Sequence, residues 1–153
     1  MKRADHLLLG FCTDKTDRIS TLIRWATWSP VSHVVLISPC RDQIIEATHG
    51  KGVVLGTLTE FLARDGAELR RIPHHDPYGV WARALSQVGK PYDWRYSLSW
   101  LLRRDWQDPA AWACAELIAW AAELFADGYA NSISPRDLHL ISVSLPFLER
   151  IAL

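Results

Sequence analysis

Cys114 stands in the run "AAWACAELIAWAAELFA", residues 110–126, with Glu116 two positions on and neighbours that are otherwise apolar or small. A thiol is a strong nucleophile only as thiolate, a form favoured near a helix N-terminus and beside an imidazolium. The run reads as a helix entered at Asp108-Pro109 and ending near Asp127-Gly128. Cys114 then lies about one turn in, where backbone N–H groups are still unpaired and can hold the oxyanion of a tetrahedral intermediate. Alone, a cysteine in an apolar helix is most often packing. What decides is whether the chain supplies a base and an orienter. His33 heads the β-branched run "SHVVLIS", and Glu46 lies in the next such run, "QIIEAT", among Ile44, Ile45 and Ala47, where a carboxylate needs a partner. One ring nitrogen toward sulfur and the other toward the carboxylate would make Cys114 the nucleophile, His33 the base and Glu46 the group that fixes the tautomer. The plainer uses are a loop-closing His33 and a solvent-facing Glu46 on a half-exposed strand. His6, His49, His74, His75 and His139 compete for the base's place, with His74-His75 reading as solvated connector. Cys12 and Cys40 have neither a helix start nor an adjacent base.

These residues must be carried by defined elements. Strands are expected at 6–11, 32–38, 43–48, 53–55 and 67–72, the middle three as an antiparallel meander separated by the turns "PCRDQ" and "HGKG". Helices are expected at 18–28, stopped before Pro30, and over "TLTEFLARDG", ending at Gly66. Another runs over "DPYGVWARALSQVG", with Asp-Pro at its start and Gly89 at its end, and a short last one over "SPRDLHLI". The tail "SLPFLERIAL" fits strand or helix equally. Strand-rich first half and helix-rich second half make an α+β pattern in one domain, 1–153.

Composition narrows the function. Lys+Arg and Asp+Glu balance at 17 each, which gives no electrostatic case for nucleic acid or an anionic membrane surface. Three cysteines without CxxC spacing argue against a disulfide framework or a zinc site, so no metal or cofactor is expected and a reducing compartment fits. The start is basic, but Leu7-Leu8-Leu9 is too short for a secretory segment. No run approaches the roughly 18 apolar residues that span a bilayer. A cytoplasmic location is expected, with export by a phage or secretion system as the alternative. Of eight tryptophans, Trp25, Trp28, Trp94, Trp100 and Trp112 flank these runs and could line an apolar groove or fill core.

Taken in order, "SPVSHVVLI", "IIEATHGKGVVLGTLTEFL", "VGKPYDWRYSL" and "WACAELIAWA" resemble the circularly permuted NlpC/P60 group of papain-like proteins, nearest its YiiX/YebB-like subgroup. The resemblance covers residues 29–122 and implies a small antiparallel sheet packed against the helix that bears the nucleophile. It implies a cysteine-dependent hydrolase, a peptidase or amidase, that cleaves an amide or ester through a thioester on Cys114, with His33 as base and Glu46 as third member. Tyr92, from the "PYD" segment, is expected at the substrate groove together with Trp28 and Trp112. Glu116 is expected to be a structural carboxylate. Two departures stand out: Ala115 replaces the usual serine, and "LLLGFC" stands where a first-strand "GD" is common. The substrate is a peptide, another amide or an acyl lipid. The alternatives are a lipid acyltransferase or thioesterase on the same fold, and a binding module without chemistry.

Overall fold

A computed structural model describes residues 5–13, 30–95, 110–125 and 133–144. The expected helix at 18–28, Trp25, Trp28 and Trp100, the approach to Cys114 before residue 110, and the tail beyond 144 lie outside the described residues.

Five strands form one antiparallel sheet: β1 (His6–Cys12), β2 (His33–Ile37), β3 (Gln43–Thr48), β4 (Gly52–Thr57) and β5 (Glu68–Pro73). Their order is β4-β3-β2-β1-β5, so the meander β2-β3-β4 is present as expected and β1 is inserted between β2 and β5. Four helices are described: α1 (Leu58–Leu62), α2 (Pro77–Leu85), α3 (Cys114–Ala121) and α4 (Pro135–Ser144).

The strands are apolar on both sides because both faces are covered. Alternation sends Leu7, Leu9 and Phe11 of β1, Val34 and Leu36 of β2, and Ile45 and Ala47 of β3 to the face carrying α2, α3 and Leu138 of α4. Leu8 and Cys12, Val35 and Ile37, and Ile44 point the other way, onto Phe61 of α1. Gly10 lies between these layers. A Cβ there would sit 2.5 Å from the Phe61 ring and 2.8 Å from Val35, so the absence of a side chain lets α1 approach the sheet.

All four helices depart from their expected bounds: α1 ends at Leu62, short of Gly66, α4 runs past Ile141 to Ser144, and α3 and α2 differ where the site is built. The helix bearing Cys114 starts at Cys114 itself, with Ala113 in extended conformation at its N-cap, and not one turn earlier. The preceding residues are used in a short pairing with the "PYD" segment: Trp112 N–H donates to Pro91 O and Asp93 N–H to Trp112 O. A backbone engaged in a ladder cannot wind into a helix. The helix also stops early, at Ala121. Glu123 adopts a positive φ of 49°, and the carbonyls of Ala121 and Ala122 are taken by Arg83 Nε at 2.6 Å and His74 Nε2 at 3.0 Å. His74 is therefore no solvated connector. Its Nδ1 accepts from Asp76 N–H, which places the ring proton on Nε2, aimed at the end of α3. Similarly, α2 ends at Leu85 and the chain turns through residues 86–88 to reach Gly89, at a φ of 93°.

Candidate active site

His33 is the first residue of β2 and so lies at one end of the sheet. Strand alternation puts His33 and Glu46 on the α1 face, as diagonal neighbours on adjacent antiparallel strands. His33 Nε2–H donates to Glu46 Oε2 at 2.6 Å. The Cys114 thiol acts on the same ring and favours its charged form. With Nε2 committed to Glu46, Nδ1 is the nitrogen left to exchange a proton with sulfur. Cys114 packs with the opposite layer, so the histidine reaches around the end of the sheet and joins groups from its two faces.

The helix start supplies more. The backbone ladder of α3 begins with Leu117 N–H donating to Ala113 O, so the N–H groups of Cys114, Ala115 and Glu116 have no partner inside the helix. The N–H of Ala113 is already used, donating to Glu116 Oε2 at 3.1 Å. Glu116 thus makes the side-chain half of a capping box and holds the turn that presents Cys114. It is buried, and burial together with the neighbouring Asp93 carboxylate pushes its carboxyl up to about 7, against the bond from Ala113. This agrees with a structural role.

The acid in apolar surroundings has a partner that sequence reading passed over. Arg64, just beyond α1, donates from Nη1 to Glu46 Oε2 at 2.7 Å and from Nη2 to Glu46 Oε1 at 2.6 Å. The Glu46 side chain is only 6% exposed, whereas that of Arg64 is 34% exposed. Burial alone would raise the Glu46 carboxyl, but the bonds from Arg64 and His33 outweigh it and hold it well below the usual carboxylate range. Burial alone would lower His33, but the Cys114 thiol and the bond to Glu46 prevail and the imidazole is pushed well above its ordinary 6.5. Both shifts favour an imidazolium against a carboxylate.

Cys12 also differs from expectation. It is registered directly opposite His33 across β1 and β2, and its thiol is acted on by the Arg64 guanidinium. A base does stand next to it. Burial nevertheless pushes the Cys12 thiol up, against the pull of His33 and Arg64, so it remains the protonated neighbour of the group. Cys40 is exposed, in the turn between β2 and β3.

Tyr92 and Trp112, expected at the groove, bridge each other immediately before Cys114. Both are half-buried against the larger core. Tyr92 meets His49 edge-on at 5.9 Å. The Trp112 indole N–H donates to Gln87 Oε1 at 3.1 Å, and its ring lies 4.9 Å from that of Trp120, itself 37% exposed. The competing histidines fall elsewhere: His139 packs on Phe11 near Glu68, and His6 pairs with Asp5. Among the described residues no group of three or more His, Cys, Asp or Glu side chains is arranged to hold a metal ion, and no helix is long and apolar enough to cross a membrane.

No protein-family model matches the chain, and no curated protein matches its sequence.

Proposed function

We propose that the protein is a cysteine-dependent hydrolase of the papain-like, permuted NlpC/P60 type, cleaving an amide or ester bond through a thioester. The observation that carries this reading is the His33 ring, bonded to the Glu46 carboxylate and electrostatically coupled to the thiol at the first residue of a helix. In the proposed reaction Cys114 Sγ gives its proton to His33 Nδ1 and attacks the substrate carbonyl carbon. The oxyanion is met by the free N–H groups of the first turn of α3. His33 returns the proton to the leaving amine or alcohol as the thioester forms. Water then loses a proton to His33, its oxygen attacks the thioester carbonyl, and the thiol leaves with that proton. Glu46 stays ionised throughout and stabilises the imidazolium.

A second reading, acyl transfer from or to a lipid, is favoured by the aromatic surface beside the nucleophile, where Trp112 packs on Trp120 and Trp94 is 55% exposed. It shares every step up to the thioester and differs in the acceptor.

The test is intact-mass spectrometry after incubation with a panel of activated esters and peptide amides. The expected result is an acyl adduct that maps to Cys114 and vanishes in Cys114→Ala and His33→Ala. Absence of an adduct with every donor, together with ligand binding unchanged in Cys114→Ser, would replace hydrolase by binding module.

A further inference from the structure

We propose that Arg64 is a positioning residue of this site: its guanidinium clamps both oxygens of Glu46, so that the carboxylate meets His33 in one orientation and is kept from taking the catalytic proton. The inference rests on the hydrolase reading and adds to it a fourth residue that acts only through Glu46.

Geometry makes the case. A carboxylate that faces only an imidazole can swing about its terminal torsion, which is broad and soft. Here two parallel N–H···O bonds, at 2.7 and 2.6 Å, engage both oxygens at once. Such a fork fixes the plane of the carboxylate, which a point charge cannot do. Oε2 is shared, accepting from Arg64 Nη1 and from His33 Nε2 at 2.6 Å, so the plane set by arginine is the plane offered to histidine.

Arg64 is itself held. Its backbone N–H donates to Phe61 O at 3.0 Å, and its guanidinium lies 5.5 Å from the centre of the Phe61 ring. Phe61 is fully buried against the sheet. On its other side the guanidinium is coupled electrostatically to the Cys12 thiol, opposite His33 on β1. One cation therefore ties α1 to the ends of two strands at the point where the chemistry is placed.

The second consequence concerns the proton. Histidine alternates between imidazole and imidazolium during turnover. At 2.6 Å a lone carboxylate is a competing resting place for the proton. A permanent cation on both of its oxygens makes Glu46 a poor acceptor, so the proton travels between sulfur, His33 and the leaving group. This is also why a buried carboxylate can persist while His33 is neutral.

The experiment measures carbamidomethylation of Cys114 by iodoacetamide against pH, mapped by peptide mass, in the full chain and in Arg64→Gln, Arg64→Lys, Glu46→Gln and the double variant Arg64→Gln/Glu46→Gln. In wild type, Cys114 should react faster than the exposed Cys40 at pH 6. In Arg64→Gln the rate at pH 5 should fall about tenfold, the value for a one-unit displacement of a controlling group, and recover to near wild type by pH 8. Arg64→Lys, which keeps charge but not the fork, should restore only part of the loss. Adding Arg64→Gln to Glu46→Gln should change nothing further, because the arginine acts through the carboxylate.

Superimposable wild-type and Arg64→Gln profiles, or full recovery in Arg64→Lys, would overturn the positioning role while leaving the nucleophile assignment intact. A Cys114 no faster than Cys40 in wild type would instead remove the hydrolase reading and this one with it. Should Arg64→Gln fail to fold, carbon-13 NMR of the wild-type Glu46 carboxyl decides. No titration above about pH 4 supports the clamp, and a midpoint at or above the ordinary carboxylate value refutes it.

Discussion

His33 and Glu46 make opposite linkage contributions to stability. The imidazole is raised in the folded chain, so its contribution is fully present below 6.5, the ordinary value, and is lost as pH rises through the folded value above it. The carboxyl is depressed, so its contribution is present above 4.5 and is lost as pH falls through the folded value below it. The stability that His33→Gln forfeits, taken as the difference in urea midpoint from wild type, should therefore be greatest between about pH 4.5 and 6.5 and decline on both sides. A difference independent of pH would show that the ring is not held as an imidazolium. Glu116 behaves in the contrary sense to Glu46. Its carboxyl is raised to about 7, so the folded state holds the extra proton and stability declines as pH rises from 4.5 through about 7. Glu116→Gln keeps an oxygen to accept the Ala113 N–H and carries no charge to bury. Relative to wild type it should gain stability over that interval, which thermal melts at pH 5 and pH 8 will show. Equal differences at the two pH values would mean that Glu116 is not a buried acid.

At the scale of elements, α1 has only five residues, fewer than a free helix needs to hold itself together. Its start is secured by a capping box: Thr57 Oγ1 accepts from Glu60 N–H at 3.2 Å while Glu60 Oε2 accepts from Thr57 N–H at 3.2 Å. Thr57→Ala should cost about 1 kcal/mol. Because the same helix delivers Phe61 and Arg64, the variant should also slow carbamidomethylation of Cys114 at pH 5 more than at pH 8. A stability loss with an unchanged pH profile would mean that α1 only fills space. The elements also show what was legible in the amino-acid sequence. His33 and Glu46 were legible because "HVVLI" and "QIIEAT" are β-branched runs joined by a short turn, and a hairpin must bring them side by side. Arg64 was not, because its contact with Glu46 joins the end of a helix to a strand two elements earlier, and local pattern carries no such pairing. A buried acid whose own hairpin offers a cation only in the distant turn, at Arg41, was the available signal. Cys12 was misjudged because the pairing of β1 with β2 depends on a chain return that no turn residue marks. The start of α3 was misplaced because Asp108-Pro109 resembles a helix entry, whereas residues 111–113 are extended beside the "PYD" segment.

Across the described residues, a five-stranded antiparallel sheet covered on both faces accounts for the high apolar content of β1 and β2. Leu9 sits in β1, with strands on either side, and is fully buried in the larger core. Leu9→Ala should destabilise by about 2–5 kcal/mol, as loss of a large core side chain does. Cys114→Ala removes only a small thiol at the edge of that core and should cost far less while abolishing adduct formation. Urea titrations of the two variants, read with mass spectrometry, separate a residue kept for packing from one kept for chemistry. Comparable destabilisation by both would assign Cys114 to packing.

The histidine that reaches around the end of the sheet has a consequence for the life of the chain before it is fully folded. The helix layer brings the sulfur, the sheet carries His33 and Glu46, and the α1 segment brings the cation. No one of them holds a complete site: with the helix layer undocked the thiol has no base, and with α1 undocked the carboxylate has no clamp. On the proposed reading, reactivity would be switched on only once all of them are docked, and half-made molecules would stay inert toward whatever acyl compounds surround them.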